Sequence, residues 1–364
     1  MKTRRSPAPG WIAPVAVALA GVAVTAPPAR GAGPWQPLAA DSAVAWRVVS
    51  SPFADLWYHG LAVVGLNGFG VNPLHDVAYG RRAARDRPAG PLVTEAPRLR
   101  ALLEADPAFE ILHFLPVYLA DAVPGQALDG LRAVAEARGP VSRHPAASVY
   151  PGLELVAGAL ASTSQREILG RLVEILDAEW QSGLAQDLQA AEMAREDDLR
   201  AMESRWSRRY APALADYLSA QGLQGGWIIP TPALGMEGRF FQGDPGKAAD
   251  NVVIVGWPSG EKDLDGALSS VVREFCFPAV RAAFQELQSR YADRVAASRA
   301  SDAAATRCGE LLLEHRLPGA LPAYRARFGL QGSPASAWSS LPDPAEGRAW
   351  DHALMRALNL RGGS

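Results

Sequence analysis

The character of the sequence changes sharply near residue 225, and this change restricts the folds that are open to the chain. Residues 164–221 are rich in Ala, Glu, Arg, Gln and Leu, a composition that predicts two or three long amphipathic helices. Residues 225–230, 238–241 and 251–256 are β-rich runs separated by Gly, Pro and Asp, and they predict a small antiparallel sheet or meander. The expected fold class is therefore α+β and predominantly helical.

The segments before this change also have a helical pattern. Apolar residues recur at helical spacing over residues 53–64, 94–104 and 108–122, so three apolar helices are predicted there. His113 lies among apolar residues in the third of them, and we expect it to be a core histidine. The glycine-rich stretch 65–70 lacks the GxGxxG pattern of dinucleotide sites and is expected to be a turn.

The first 31 residues have the features of a secretory signal peptide. Lys2, Arg4 and Arg5 precede an apolar run from Trp11 to Ala26, and small residues follow up to Gly31. This order predicts export to the periplasm or the extracellular space, with cleavage after Gly31. An N-terminal membrane anchor is the alternative. We expect no stable membrane span after cleavage, because no later stretch reaches the roughly 18 apolar residues that a span needs.

Charge and linker content describe the mature chain further. Cleavage would leave 32 basic and 38 acidic residues, a net charge of about −6, so no nucleic-acid partner is expected. Since no Pro/Gly/Ser linker cleanly splits the chain, we expect one compact unit. Within it we distinguish a helical region at 32–224, a core region at 225–330 and a C-terminal tail at 331–364.

One short pattern points to a particular chemistry. Arg273, Glu274 and Phe277 stand where the HExxH helix of a zinc peptidase has its His, Glu and His, and Pro278 is expected to end or kink that helix. In HExxH the two histidines bind Zn through neutral ring nitrogens, and the Glu is the general base. Arginine stays protonated and has no acceptor nitrogen, and phenylalanine has no lone pair. We therefore expect no bound metal and no other cofactor.

A second predicted helix strengthens the resemblance. Asp302 is expected to cap a helix over residues 303–316, which contains Glu314 and His315. In the gluzincin branch of zinc peptidases the third ligand is a Glu on a helix a few dozen residues after the second His. Glu314 follows Phe277 by 37 residues, so it is the candidate for that third position.

The resemblance to gluzincins covers residues 225–327 and implies a zincin-like core with a small antiparallel sheet and two former active-site helices. The vestigial site would consist of Arg273, Glu274, Phe277, Glu314 and His315. We expect the Arg273 guanidinium to replace the metal ion by pairing with Glu314 and Glu274, while Phe277 fills the remaining volume. The alternative is an ordinary amphipathic helix with Glu274 in water. The chain is also similar to exported bacterial proteins with Leu-Trp-Tyr-His-Gly-Leu and Leu-His-Phe-Leu-Pro segments.

The two cysteines leave three possibilities open. Cys276 lies on the degenerate helix and Cys308 lies on the next predicted helix, so in an exported chain a disulfide between them is possible. Two buried free thiols are the second possibility. The third is a catalytic Cys276 paired with His315.

These observations favour an exported, catalytically inactive zincin-like protein, a pseudopeptidase that binds a peptide or a protein. A hydrolase with an unrecognised site is one alternative, and a structural helical envelope protein is another. The sequence contains no GxSxG elbow and no Walker-type phosphate loop, and no two of its histidines are four residues apart. A binding function predicts an open apolar cleft beside Glu274, whereas a hydrolase predicts converging polar groups there.

Overall fold

The computed structural model of the protein describes residues 46–66, 74–137, 152–244, 250–258, 260, 263–291, 293–330, 334–339 and 344–360. Over these residues the fold is predominantly helical α+β with one small sheet. The predicted signal peptide, residues 1–31, lies outside the described residues. Across the described ranges, no helix has both the length and the apolar character that a membrane crossing requires.

The sheet has four short strands in the order β1-β2-β4-β3. Their bounds are Trp46–Val48 (β1), Gly226–Thr231 (β2), Arg239–Phe241 (β3) and Val252–Gly256 (β4). Strands β1, β2 and β4 run parallel, and β3 pairs with β4 in the antiparallel direction.

The prediction of an antiparallel sheet was therefore wrong, since the sheet is mixed and two of its three strand pairs are parallel. The chain passes from β2 to the far side of β4 before it enters β4, so β2 and β4 become parallel neighbours. Strand β1 comes from a segment almost 180 residues before its partner β2. A run of β-forming residues predicts a strand but does not determine its direction or its partner.

The helices fall into two groups, one for each side of the sheet. The first group is Pro52–Val64 (α1), Val77–Asp86 (α2), Pro91–Glu104 (α3), Leu115–Tyr118 (α4), Pro124–Glu136 (α5), Gly152–Ala159 (α6), Thr163–Glu179 (α7) and Ala185–Ala194 (α8). The second group is Glu196–Arg205 (α9), Ala211–Ala213 (α10), Ala215–Ala220 (α11), Leu264–Phe275 (α12), Phe277–Leu287 (α13), Arg294–Arg316 (α14), Leu321–Arg327 (α15) and Pro344–Ala357 (α16). Among the described residues there are also two π-helical turns and four 3₁₀ turns. The π-helical turns are Trp180–Leu184 and Trp206–Tyr210, and the 3₁₀ turns are Pro107–His113, Gln288–Arg290, Pro318–Ala320 and Pro334–Trp338.

The sheet separates two apolar cores. Successive residues of β4 alternate between them: Val252 and Ile254 pack into the first core, and Val253 and Val255 pack into the second. Side chains of a strand point alternately to opposite faces, so this alternation shows that both faces are covered. Helix α1 lies in the first core and α12 in the second.

Local sequence signals explain most helix boundaries. Helix α1 begins as predicted, because the Ser51 side chain accepts a hydrogen bond from the Ala54 N–H, and it ends at Gly65, whose φ of 76° is readily adopted only by glycine. The predicted helix over 108–122 is instead a 3₁₀ turn followed by the short α4. Pro116 lies in the first turn of α4 and has no N–H to continue a preceding helix.

Of the two helices of the expected site, α12 ends where it was predicted to end, but α14 begins earlier than predicted. Helix α12 ends at Phe275, and Pro278 lies in the first turn of α13, so the predicted break is confirmed. The predicted cap at Asp302 was wrong. Helix α14 begins at Arg294, where the Asp293 side chain accepts hydrogen bonds from the N–H groups of Val295 and Ala296. Asp302 therefore lies within the helix, and its side chain is free for a tertiary contact.

The C-terminal segment belongs to the second core. Helix α16 packs against α13 and α14, and its Trp350 and Leu354 side chains are fully buried. Trp350 stacks near Phe284 and Trp338, and its indole N–H donates to the Tyr291 hydroxyl at 2.7 Å. Residues 344–357 are therefore an integral part of the packing rather than a tail.

We expect Trp350→Ala to destabilise the protein by about 3–5 kcal/mol, because it removes the largest buried side chain of α16 from a packed core. The matched control is His352→Ala on the same helix, where the side chain is exposed and the change should be within about 0.5 kcal/mol. Urea unfolding measures both. Equal stabilities for the two variants would show that α16 does not contribute to the core.

Candidate functional site

Arg273 is the centre of a buried charge cluster. Its side chain is fully buried in the last turn of α12, where a lone charge would be strongly destabilising. The guanidinium contacts three carboxylates: Nη1 lies 2.5 Å from Glu274 Oε1, and Nη2 lies 3.4 Å from both Glu237 Oε1 and Asp302 Oδ1. Its Nε donates to the Thr306 hydroxyl at 3.2 Å. We call Arg273, Glu274, Glu237, Asp302, Thr306 and the neighbouring Arg239 the Arg273 cluster.

Three separate elements supply the cluster. Helix α12 carries Arg273 and Glu274. Helix α14 carries Asp302 and Thr306, whose four-residue spacing places both on one helix face. Glu237 and Arg239 come from the segment that enters β3, and Arg239 Nη1 lies 3.9 Å from Glu237 Oε2.

The segment before β3 is bound tightly to α12. The Gly238 N–H donates to Glu274 Oε1 at 3.0 Å, and the Ser270 hydroxyl donates to the Met236 carbonyl oxygen at 2.8 Å. A Cβ atom at residue 238 would lie 2.8 Å from Glu274 Cγ and 2.5 Å from the Ile254 carbonyl oxygen. Only glycine allows this close approach, so the charge cluster and the edge of the sheet are packed as one unit.

The electrostatics of the cluster follow from burial and from opposite charges. Burial alone lowers the pKa of the Arg273 guanidinium, but Glu237, Glu274 and Asp302 raise the pKa above the ordinary arginine value, so Arg273 stays charged. Burial raises the pKa of Glu274, against the opposing effect of Arg273. Burial, and then the charge of Glu237, raise the pKa of Asp302 to about 7. Near neutral pH the cluster therefore approaches a balance of positive and negative charge.

The structure brings together some of the predicted site residues and not others. Arg273 pairs with Glu274 as expected. The Phe277 ring is partly buried, and its centroid lies 5.7 Å from Cζ of Arg273, so it packs beside the guanidinium. Glu314 and His315 are exposed, and the His315 Nδ1 atom lies 2.9 Å from the Leu311 carbonyl oxygen.

The expected ion pair between Arg273 and Glu314 was therefore wrong. Glu314 lies 12 residues beyond Asp302 on the same helix, which is about 18 Å along the helix axis. Helix α14 starts well before the predicted cap, so Asp302 lies inside the helix. The side chain of Asp302, rather than that of Glu314, reaches Arg273 on α12.

Glu237, Arg239, Asp302 and Thr306 were missed at the level of sequence. For Asp302 and Thr306 a signal existed, because two polar residues four apart flank the alanine run 303–305 and therefore share one helix face. For Glu237 and Arg239 we find no such signal. They flank Gly238 in a connecting segment, and only the tertiary packing of that segment against α12 places them in the cluster.

Both cysteines are free thiols in the structure. Cys276 follows α12, Cys308 lies on α14, and both are fully buried. The two thiols are close enough to interact by a hydrogen bond, and burial, together with this contact, raises the pKa of Cys308 well above its ordinary value. The free-thiol alternative is the one the structure shows. Because Cys276 is buried and His315 is exposed, a catalytic Cys276–His315 pair is not formed.

A pair of neutral histidines lies near Arg239. His113 is buried, as predicted, and its Nδ1 atom lies 3.3 Å from Nε2 of His75. Burial lowers the pKa of His75 to about 3 and that of His113 well below its ordinary value, and the charge of Arg239 acts in the same direction. These histidines therefore add no positive charge beside the Arg273 cluster near neutral pH.

The geometry limits what the Arg273 cluster can do chemically. Glu274 and Glu237 are each 1% exposed, and Arg273 is 0% exposed, so Glu274 has no access to a water molecule or a substrate. Among the residues that the structure describes, no group of three His, Cys, Asp or Glu side chains is arranged to hold a metal ion. The cluster instead joins α12, α14 and the entry to β3.

Comparison of the chain with protein-family models, with curated proteins and with solved structures found no match.

We expect Arg273→Ala to destabilise the protein by about 3–5 kcal/mol, because it leaves buried carboxylates without their cation. Glu314→Ala is the control, and because that side chain is exposed its effect should be within about 0.5 kcal/mol. Chemical denaturation followed by tryptophan fluorescence measures both variants. A change near zero for Arg273→Ala would contradict a structural role for the cluster.

The pKa of Asp302 predicts a particular pH dependence. The ordinary pKa is 3.8 and that in the folded protein is about 7, so the folded state holds the proton more tightly. This stabilisation is fully present below the ordinary pKa and is lost as the pH rises through the folded value. Between about pH 5 and about pH 8, Asp302→Asn should therefore lose about 3 kcal/mol less stability than the unchanged protein. Denaturant unfolding at several pH values tests this, and parallel curves for the two proteins would refute it.

Proposed function

We propose that the protein is an exported, catalytically inactive zincin-like protein, a pseudopeptidase that acts by binding a peptide or a protein. The observation that carries this proposal is the position of the Arg273 guanidinium. It lies between α12 and α14, on the helix face where the first histidine of HExxH would be. Phe277 holds the position of the second histidine, and Asp302 approaches the same point from the second helix.

The contacts of Glu274 support the loss of peptidase activity. A general base in a zinc peptidase must reach a metal-bound water molecule. Here one oxygen of Glu274 accepts hydrogen bonds from both Arg273 and the Gly238 N–H, and the side chain is buried. Its role is to hold the segment before β3 against α12.

The open apolar cleft that a binding function predicts beside Glu274 is not present, because Glu274 is 1% exposed and lies among the charged groups of the Arg273 cluster. The support for a binding function is instead the edge of β3. Within the described part of the chain, β3 has a strand neighbour on one side only, which is β4. Phe240 and Phe241 are partly exposed. An edge of this kind can accept an extended peptide as an added strand through main-chain hydrogen bonds. In this proposal the Arg273 cluster replaces the metal ion as the group that fixes the edge strand in place.

We expect the purified protein to contain far less than one zinc ion per chain after incubation with excess zinc and desalting. The double variant Arg273→His/Phe277→His should take up about one zinc ion, because it restores two imidazole ligands beside the Asp302 carboxylate. Adding Asp302→Ala to the double variant should abolish uptake, whereas adding Glu314→Ala should not. Elemental analysis measures the zinc, and circular dichroism verifies folding.

A stoichiometric metal ion in the unchanged protein would overturn the proposal and favour an active hydrolase. Failure of the folded double variant to bind zinc would show that the geometry is not zincin-like.

We expect the edge of β3 to be the place where a peptide binds. Short random peptides displayed on phage are the probe, and the best binder is synthesised for amide hydrogen exchange measured by mass spectrometry. Binding should slow exchange at residues 238–242, since an added strand uses main-chain groups of that edge. Protection confined to other parts of the chain would contradict this site.

A further inference from the structure

A second group of polar residues lies at the carboxyl ends of the parallel strands. After β1 the chain enters α1 on the first side of the sheet, and after β4 it leads to α12 on the second side. Strand β2 lies between β1 and β4. In sheets of this kind the crevice between connections that leave on opposite sides is the usual place for a ligand.

Each of the three parallel strands contributes one residue to this edge. Asp55 lies in the first turn of α1, directly after β1. Thr231 is the last residue of β2. Trp257 follows β4, and its backbone N–H donates to the Thr231 carbonyl oxygen at 2.8 Å. The topology therefore brings a carboxylate, a hydroxyl and an indole to one edge.

Two of these side chains have polar atoms that are buried without a hydrogen-bond partner. Asp55 is 6% exposed and Thr231 is 0% exposed. The Thr231 hydroxyl lies near enough to Asp55 to lower the pKa of the carboxyl, although burial has the larger effect and raises it to about 6. Among the described residues, however, neither Asp55 Oδ1 nor Thr231 Oγ1 completes a hydrogen bond of normal geometry. Such atoms are costly to leave unsatisfied, and a bound ligand would satisfy them.

The side chain of Arg195 lies across this edge. Its Nη1 atom is 3.7 Å from Asp55 Oδ2, which is too far for a hydrogen bond. Its Cζ atom lies 4.9 Å from the centroid of the Trp257 ring. A carboxylate beside an aromatic face is the usual environment that recognises a guanidinium. The protein thus places its own guanidinium there, but with incomplete contacts.

Arg195 is also well placed to move. It lies at the break between α8 and α9, where its backbone is not helical (φ −103°, ψ 0°), and its side chain is 21% exposed. If it moved away, the carboxylates of Asp55 and Glu192 would remain near each other without the charge of Arg195. Near neutral pH the neighbouring His59 adds no positive charge, because burial, and then the charge of Arg87, lower its pKa to about 4.

We propose that this edge is a binding site for a guanidinium group, in which Arg195 is an internal occupant that the ligand displaces. The ligand guanidinium would take the place of the Arg195 guanidinium, pairing with Asp55 and stacking on Trp257. The site does not depend on the Arg273 cluster or on the loss of peptidase activity. The guanidinium can come from an arginine residue of a peptide or from a free guanidino compound.

Isothermal titration calorimetry of the full chain tests this site with three probes. Nα-acetyl-arginine amide represents an arginine residue, agmatine represents a free guanidino compound, and Nα-acetyl-citrulline amide is the neutral isostere of the first. We expect the arginine probe to bind at least about tenfold more tightly than the citrulline probe, because only a cation pairs with Asp55. Binding of agmatine as tight as that of the arginine probe would identify the guanidinium alone as sufficient, whereas tighter binding of the arginine probe would favour a peptide.

Three variants define the roles of the residues. Arg195→Ala should bind the arginine probe about tenfold more tightly than the unchanged protein, since the internal competitor is removed. Arg200→Ala, an exposed arginine of α9 that pairs with Glu196 and Asp197, is the matched control and should leave affinity unchanged. Asp55→Asn should weaken binding at least about tenfold. If Asp55→Asn does not fold, Thr231→Val provides a second test, because it removes the hydroxyl beside the Asp55 carboxyl.

The proposal is overturned if folded Arg195→Ala shows no heat of binding with the arginine probe at millimolar concentration. It is also overturned if the citrulline and arginine probes bind Arg195→Ala equally well. A purely structural role for Arg195 predicts lower stability of Arg195→Ala without any gain in affinity, and thermal unfolding of the same samples measures that stability.

Discussion

The burial of the Arg273 guanidinium is the constraint on which the second half of the structure depends. A fully buried cation is tolerated only where carboxylates and hydrogen-bond acceptors surround it. Its partners come from α12, from α14 and from the segment before β3, so the charge is neutralised only when all three elements are in place. The cluster therefore couples the packing of two helices to the position of the edge strand.

The sheet has a similar organising role on a larger scale. Alternate residues of β4 face two different cores, and the helices before and after residue 195 cover opposite faces. Polar groups are concentrated at two edges of this sheet. The Arg273 cluster lies at the antiparallel edge strand, and Asp55, Thr231 and Arg195 lie at the carboxyl ends of the parallel strands. Among the described residues both groups retain buried polar atoms without a hydrogen-bond partner, Arg239 Nε in the first and Asp55 Oδ1 and Thr231 Oγ1 in the second.

Sequence reasoning succeeded where the cause of the structure is local. The helix over residues 53–64 was predicted from its apolar spacing, and the break at Pro278 was predicted from the missing N–H of proline. The contact between Arg273 and Glu274 was also expected. Sequence reasoning failed where the structure depends on residues that are far apart in the sequence. The parallel pairing of β1 with β2 joins segments that no local pattern relates. Glu314 was chosen for its spacing from Phe277, but the helix begins nine residues before the predicted start and it is Asp302 that contacts Arg273.

The sequence by itself determined the helical and strand-forming segments, the presence of Arg and Phe rather than histidine at positions 273 and 277, and the presence of a charged pair on an apolar helix, because these depend on residue type and short-range spacing. The tertiary structure alone decided which carboxylates surround Arg273, which way the strands run and which residues meet at their carboxyl ends. The physical reason is that charge pairing and strand pairing depend on distances in space. Residues such as Glu237, Arg273 and Asp302 acquire their environment only when the two cores pack against the sheet.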